Sequence, residues 1–451
     1  MTVLDHAIER VRGARAERIT GTVGAMRGLS LLVDDLPVPV GATVHISAHA
    51  GRVPGEVVGF DGGRAIVMTL GATSGIRSGD RVVSAELTPS VDVCPGLLGR
   101  VLDGMGRPID GNGPLRETVA QPLLGAPITA MSREPIRTAL STGVRAIDAF
   151  MPVGKGQRVG IFAGPGVGKS TLLGMIARST RADVNVIALI GERGREVREF
   201  IEGSLGDEGL RRSVVIVATS DESPLLRVRA AHAACAVAQY FAGAGLDVML
   251  MLDSVTRFAH AQRQIGLAVG EPPATRGYTP SVFAALPVLL ERAGAMGTGS
   301  VTGFYTTLVE GDDMTEPVAD AVRGILDGHI ALSRELAQRG HFPAIDVLDS
   351  VSRVATEVTS RERYEHMMTL RRLLGAYTEV EELVQIGAYA HGSNPAADAA
   401  IRLKPQLDRL VQQSSDESSP MEQTLETVAM LASQARALSA HAPGGGRRGD
   451  G

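Results

Sequence analysis

The chain has 451 residues, of which 21% are charged and 44% hydrophobic, and its formal net charge is −5. That length supports two or three domains with a sizeable core, and the slight acidity gives no electrostatic basis for wholesale nucleic-acid binding. The two cysteines, Cys94 and Cys235, form neither a metal-ligand spacing nor a disulfide framework, no apolar run reaches the length of a membrane span, and the N-terminus lacks a signal-type apolar core; the expectation is a cytoplasmic chain that can still dock on a membrane complex.

Residues 1–18 carry Leu4, Ile8 and Val11 at helical spacing among Arg10, Arg12, Arg15 and Arg18. This predicts a short basic amphipathic helix, either a solvated arm or a docking helix for a partner or an anionic surface. From residue 19 to 88, short β-rich runs (Ser30–Val33, Thr43–Ile46, Glu56–Val58, Ala65–Met68, Arg81–Val83) alternate with turns at Asp61-Gly62-Gly63 and Ser78-Gly79-Asp80. Such spacing predicts a small closed β-barrel. Phe60 is its only aromatic residue, which argues against base stacking and for a structural or assembly role. The Gly- and Pro-rich stretch that follows reads as a covering connection into the main domain, with Ser141–Asp148 just ahead of the central motif.

Residues 89–354 form the expected nucleotide-binding domain. Val159–Phe162 reads as a short buried strand, Ala163–Gly168 as a glycine-rich turn, and Lys169, Ser170 and Thr171 open a helix. This is a phosphate-binding loop: small residues let backbone N–H groups (Gly164, Pro165 as a spacer, Gly166, Val167, Gly168) curl round phosphate oxygens, and the helix N-terminus adds its positive end. Lys169 is expected on the β- and γ-phosphates of ATP and the Ser170 hydroxyl on Mg²⁺. Ala163 stands where the motif usually begins with glycine. Further strands are expected at Asn185–Ile190, Ser213–Val217 and Asp247–Leu252, alternating with helices as in a largely parallel sheet, whose ligands sit at the carboxyl ends of the strands.

Two of those strand ends carry acids. Asp253 follows four apolar residues and is expected to hold Mg²⁺ directly or through water. Gly191–Glu196 reads GERGRE; Glu192 is the candidate to orient the attacking water and Arg193 beside it to touch the transferred phosphoryl group, or the segment is a surface turn with internal ion pairs. Arg353, after Ser350-Val-Ser352, reads by itself as a structural ion-pair partner. Residues 355–440 show helical periodicity at Tyr364–Leu374 and Val380–Ile386 and predict a helical domain, and 441–451 a disordered tail.

Together these stretches resemble the catalytic chains of the rotary ATPase superfamily. Pro343–Ser352 (PAIDVLDSVS) is similar to its signature, and Gly191–Glu196 to its catalytic-glutamate motif. With Asp253–Phe258, Ala261–Ala268, Gly270–Phe283 and Val309–Asp313, the chain most resembles the type III protein export ATPases, in their flagellar form, from about residue 20 to 410. The resemblance implies an N-terminal β-barrel, a RecA-like P-loop NTPase core and a C-terminal helical domain (an α/β fold), assembled as a homohexamer with ATP between neighbours. It implies that Arg353 is an arginine finger reaching the next subunit's site, that Phe342 packs near adenine, and that Arg257 lies beside the catalytic centre. It further implies export partners: a regulator that binds the N-terminal helix through Leu4, Ile8 and Val11, a stalk protein, chaperones and their substrates, and the export gate at the inner membrane. The alternatives are an injectisome secretion ATPase and a rotary ATP synthase catalytic subunit; an RNA-translocating helicase is disfavoured by the aromatic-poor barrel and the acidic net charge.

Overall fold

The computed structural model describes residues 19–49, 51–125, 129–309 and 313–440. The readings of segments 1–18 and 441–451 lie outside the described residues.

Strands β1 (Thr20–Arg27), β2 (Ser30–Asp34), β3 (Thr43–Ala48), β4 (Gly51–Asp61), β5 (Arg64–Thr69) and β6 (Arg81–Ser84) form a closed barrel in the order β1-β2-β5-β4-β3-β6. Their two-residue alternation builds it: in β3, Val44 and Ile46 point inward while His45 and Ser47 face out. Val33, Val57, Val67 and Val82 complete the apolar filling. An irregularity between Val57 and Gly59 bends β4, as a bulge does at a barrel wall.

The stretch read as a covering connection contributes more than cover. Strand β7 (Ser90–Val93) pairs with β9 (Val119–Pro122), and β8 (Val101–Asp103) between them joins the edge of the main sheet, with Leu102 opposite Ile216. A three-residue strand is too short to leave a periodic signature in sequence, yet fully buried Leu102 holds it in place. A small ladder of β10 (Ala139–Leu140) with β11 (Val153–Gly154) precedes the phosphate-loop strand.

The main sheet comprises β12 (Arg158–Ala163), β13 (Val184–Ile190), β14 (Ser213–Ala218), β15 (Asp247–Asp253), β16 (Gly294–Ala295), β17 (Ser300–Leu308), β18 (Gly328–Leu332) and β19 (Ile345–Ser352), together with β8. Its order is β19-β18-β12-β17-β15-β13-β14-β8, with β16 on β17. All neighbours from β18 to β8 run parallel, and β19 is antiparallel at the edge. Every residue of β13 is buried, as a strand covered on both faces requires. Ile187 and Leu189 point to one core with Leu173, Ile176 and Phe304. Val186, Ala188 and Ile190 point to the other with Val237, Leu250 and Phe258.

Helix Pro224–Gly243 covers the second face. Ser223 caps it by accepting from the Leu226 N–H, and Pro224 occupies its first turn. Its buried alanines, among them Ala230, Ala234 and Ala238, bring the helix close to the strands. Helices Arg361–Gln385, Pro395–Val411 and Met421–Ala440 pack Leu370, Leu403, Leu407 and Leu431 onto the first core. The loop after Val411 returns to the main domain: Gln413 donates to the Gly143 carbonyl at 2.8 Å, and its side-chain oxygen accepts from the Arg145 N–H, also at 2.8 Å. Among the described residues no helix is long and apolar enough to cross a membrane.

Candidate nucleotide site

The phosphate loop leaves the carboxyl end of β12. Gly166 and Gly168 have φ of 77° and 90°, conformations that glycine reaches without steric cost. Val167, 1% exposed, pins the loop to the core, while Pro165 and Gly166 are exposed. Helix Lys169–Ser179 starts directly from Gly168, and Ser170 and Thr171 present exposed side chains in its first turn. The N–H groups of the first helical turn and the two exposed hydroxyls therefore stand where an anion would lie.

Three charged side chains meet beside this loop. The Lys169 ammonium donates to Asp253 Oδ1 at 2.5 Å and to Glu192 Oε1 at 3.4 Å. Asp253 ends β15 and its side chain is 5% exposed; Glu192 follows β13. Burial works against the charge on Lys169, and the two carboxylates together hold its ammonium above the usual lysine range. Burial also raises the Glu192 carboxyl, opposed by Lys169 and reinforced by Asp253. Such a shift, in a group with a named charge partner, marks a general-base candidate.

Gly191, with φ of 70°, makes room for Arg257: a Cβ there would lie 2.9 Å from Arg257 Cβ. Arg257 sits in helix Val255–Val269, whose first turn is capped by Ser254. Its buried Nε has no hydrogen-bond partner among the described residues, a donor left for an anion. Arg193 points away; its side chain is 80% exposed and pairs with Glu196 at 3.3 Å.

Phe342 lies at the other side of the loop. A Cβ on Gly168 would meet its ring at 3.6 Å, and the ring borders a cavity of about 320 Å³ with Thr171, Leu172, Met175, Gln413 and Ser414. The flat apolar ring with polar neighbours suits a heterocyclic base. Arg353 is elsewhere. Strand β19 starts near Phe342 and runs antiparallel to β18, so Ser352 pairs with Gly328, whose neighbour His329 pairs with Gly160 in β12. Arg353 thus lies at the amino edge of the parallel sheet, opposite its own phosphate loop.

The structure therefore brings together Lys169, Ser170, Thr171, Glu192, Asp253, Arg257 and Phe342, and leaves Arg193 and Arg353 outside that group. Sequence reasoning missed two residues. Thr306 donates to Asp253 Oδ1 at 2.6 Å and orients it; its strand also carries Ser300, Thr302 and Thr307, so one more hydroxyl gave no distinguishing signal. Gln413 lines the base cavity and its N–H bonds to the Phe342 carbonyl at 2.9 Å; a polar residue after a helix carries no such signal.

The chain matches a model described as the ATP synthase alpha/beta family, nucleotide-binding domain, over residues 143–352, and that family's beta-barrel domain over residues 42–85. A model of the T3SS EscN ATPase C-terminal domain matches residues 359–429. It is 51% identical over 423 residues to a flagellum-specific ATP synthase of Treponema pallidum, covering 93% of this chain and 95% of that protein. It is 48% identical over 425 residues to a type 3 secretion system ATPase of Xanthomonas euvesicatoria, covering 94% and 95%. Among solved structures, the assembled ATPase EscN of the enteropathogenic E. coli type III secretion system superposes with a TM-score of 0.86 at 41% identity, over 91% of this chain and 100% of that one. EscN has also been solved in complex with its central stalk EscO, with a TM-score of 0.85 at 40% identity, over 91% of this chain and 100% of that one.

Proposed function

The chain belongs to the ATP synthase alpha/beta family as an ATP-hydrolysing type III export ATPase, and from that premise we propose that it energises flagellar protein export as a homohexamer whose active sites lie between neighbouring copies. The observation that carries the shared site is the placement of Arg353. It lies at the sheet edge opposite its own phosphate loop, with β12 between them, about 15–20 Å at strand rise. A guanidinium there is out of reach of its own phosphate loop, which supports its service to another copy's site.

Within each copy, the loop amides and Lys169 bind the β- and γ-phosphates, and Phe342 with Gln413 holds the base. Ser170 and Asp253 are all-oxygen donors and fit Mg²⁺, whose other positions are left to phosphate and water. Bound there, Mg²⁺ neutralises charge on the phosphates. Lys169 moves from Asp253 toward the phosphates as nucleotide enters. Glu192 orients the attacking water and takes up its proton. Arg257, whose Nε has no hydrogen-bond partner among the described residues, binds a phosphate oxygen on the same side. Arg353 of the adjacent copy meets the charge that develops on the transferred group, a contribution of about 10³–10⁵ in rate.

The flagellum-specific relatives favour the flagellar assignment; the comparable identity to a type 3 secretion ATPase supports an injectisome as the second reading. The assembled EscN structures support self-assembly and a stalk partner. The regulator at residues 1–18, chaperones, export substrates and attachment to the inner membrane complete the proposal. Deleting residues 1–18 should abolish regulator capture without changing the thermal melt, and unchanged capture refutes that docking site.

The test of the shared site is ATPase rate per chain against protein concentration, for wild type and for an equal mixture of Lys169→Ala and Arg353→Ala. Per-chain activity should rise with concentration, and the mixture should recover turnover that neither variant has alone. Flat activity and no recovery from folded variants would sink the shared site.

A further inference from the structure

Gln157 stands immediately before β12, at the end of the strand away from the phosphate loop, and is fully buried. A buried amide must find partners for both its oxygen and its nitrogen. Here the oxygen accepts from the Gly154 N–H at 2.9 Å. The nitrogen donates to the Asp327 carbonyl at 2.9 Å and to Ser352 Oγ at 3.3 Å. That same Asp327 carbonyl accepts the backbone N–H of Arg353 at 2.9 Å. Ser352 Oγ in turn donates to the Pro152 carbonyl at 2.7 Å. One side chain thus touches the residue before Arg353 and the carbonyl that anchors Arg353 itself.

The surroundings make this anchor rigid. The Asp327 carboxylate accepts from the Arg158 backbone N–H at 3.1 Å and from its guanidinium at 2.9 Å through both Nε and Nη2. Gly328 packs so closely on β19 that a Cβ there would lie 2.5 Å from the Val351 carbonyl oxygen. The Arg353 guanidinium, by contrast, is exposed and makes one hydrogen bond among the described residues, at 3.4 Å to the Arg323 carbonyl. Its backbone is fixed and its head is free to reach outward, the division that a residue acting on another molecule requires.

We propose that Gln157 is a positioning residue for Arg353, fixing the backbone from which that arginine reaches the neighbouring copy's site. The proposal rests on the shared-site reading above. It adds that the amino end of the strand carrying a copy's own phosphate loop also sets the aim of the arginine it lends. A merely structural Gln157 would instead weaken the copy's own site or its fold.

Mixtures of full-length variants separate these cases. Gln157→Met keeps the length of the side chain and removes its hydrogen bonds; Ser352→Ala removes one of its partners with little change in volume. Chains are mixed in equal amounts before assembly and ATP turnover is measured. Displacement of a catalytic group by about 1 Å costs on the order of 10²-fold, so Gln157→Met alone should lose about ten- to a hundredfold in turnover with little change in KM. Its mixture with Lys169→Ala should recover turnover, because Lys169→Ala lends an intact arginine to an intact loop. Its mixture with Arg353→Ala should not recover, because neither chain lends one. The reverse pattern, or wild-type turnover for Gln157→Met alone, overturns the proposal. If Lys169→Ala with Arg353→Ala also fails to recover, the shared site itself has failed, and the positioning role with it. Where Gln157→Met fails to fold, Ser352→Ala carries the same comparison with the same expected and overturning patterns.

Discussion

Lys169 and Asp253 hold each other at 2.5 Å across the mouth of the phosphate loop, although 84 residues separate them in the chain. The pair is nearly dry, with side chains 13% and 5% exposed. A phosphate group must therefore compete with Asp253 for the ammonium, and the two charges must part for the site to fill.

Asp253→Asn tests that competition. Removing the charge frees Lys169 and takes away the carboxylate offered to Mg²⁺. Binding of a fluorescent ATP analogue without Mg²⁺ should hold or tighten, while Mg²⁺-dependent turnover should fall by about 10²-fold or more, on the scale of losing one strong transition-state contact. Weaker metal-free binding would show that the pair does not restrain Lys169.

Glu192→Gln keeps the shape of the side chain and removes its basicity. Loss of a general base costs about 10²–10⁴ in rate, so the variant should bind ATP normally and accumulate it unhydrolysed in a single-turnover experiment. Burial first, and then Asp253, raise the wild-type carboxyl. Glu192 works deprotonated, so the acid limb of the wild-type activity profile should lie above the ordinary glutamate range and should be absent from the residual activity of the variant.

Phe342→Ala leaves every charged group in place and removes the ring above Gly168. An aromatic stacking contact is worth about 0.5–1.5 kcal/mol, so KM for ATP should rise about two- to tenfold with kcat nearly unchanged. A fall in kcat with constant KM would remove Phe342 from the binding site.

Stability against pH should be shaped by two groups where the barrel meets helix Pro224–Gly243. They border one cavity of about 390 Å³. Burial, followed by the Arg292 charge, pushes the His232 imidazole down to about 3 from its ordinary 6.5. This folded value is depressed, so its contribution is present above 6.5 and is lost as pH falls toward 3. Burial pushes the Glu56 carboxyl up to about 7 from 4.5, against the pull of Arg229, which lies 3.6 Å away. This folded value is raised, so its contribution is complete below 4.5 and is lost as pH rises through 7. In denaturant melts from pH 4 to 8, His232→Gln should flatten the acid limb and Glu56→Gln the alkaline one. An unaltered limb in either variant would exclude that group as its source.

The amino-acid sequence by itself determined whatever depends on neighbours in the chain. The glycines of Ala163–Gly168 dictate a curled backbone wherever they stand, and Lys169 and Ser170 follow in the first helical turn. The period-two runs of the barrel and the apolar runs Val186–Ile190 of β13 and Val248–Leu252 of β15 carry their own burial pattern, so strand ends at Glu192 and Asp253 were legible before any contact was known. Tertiary structure alone decided which of those ends meet. Sheet order puts β15 and β13 side by side and β17 between β12 and β15, which delivers Thr306 to Asp253 and both carboxylates to Lys169. It decided that three residues at Val101–Asp103 are a strand, that Gln413 returns to the base cavity, and that antiparallel β19 carries Arg353 away from the site that Phe342 borders. These follow from how distant segments stack to bury both faces of one sheet, a condition that no local run of residues encodes.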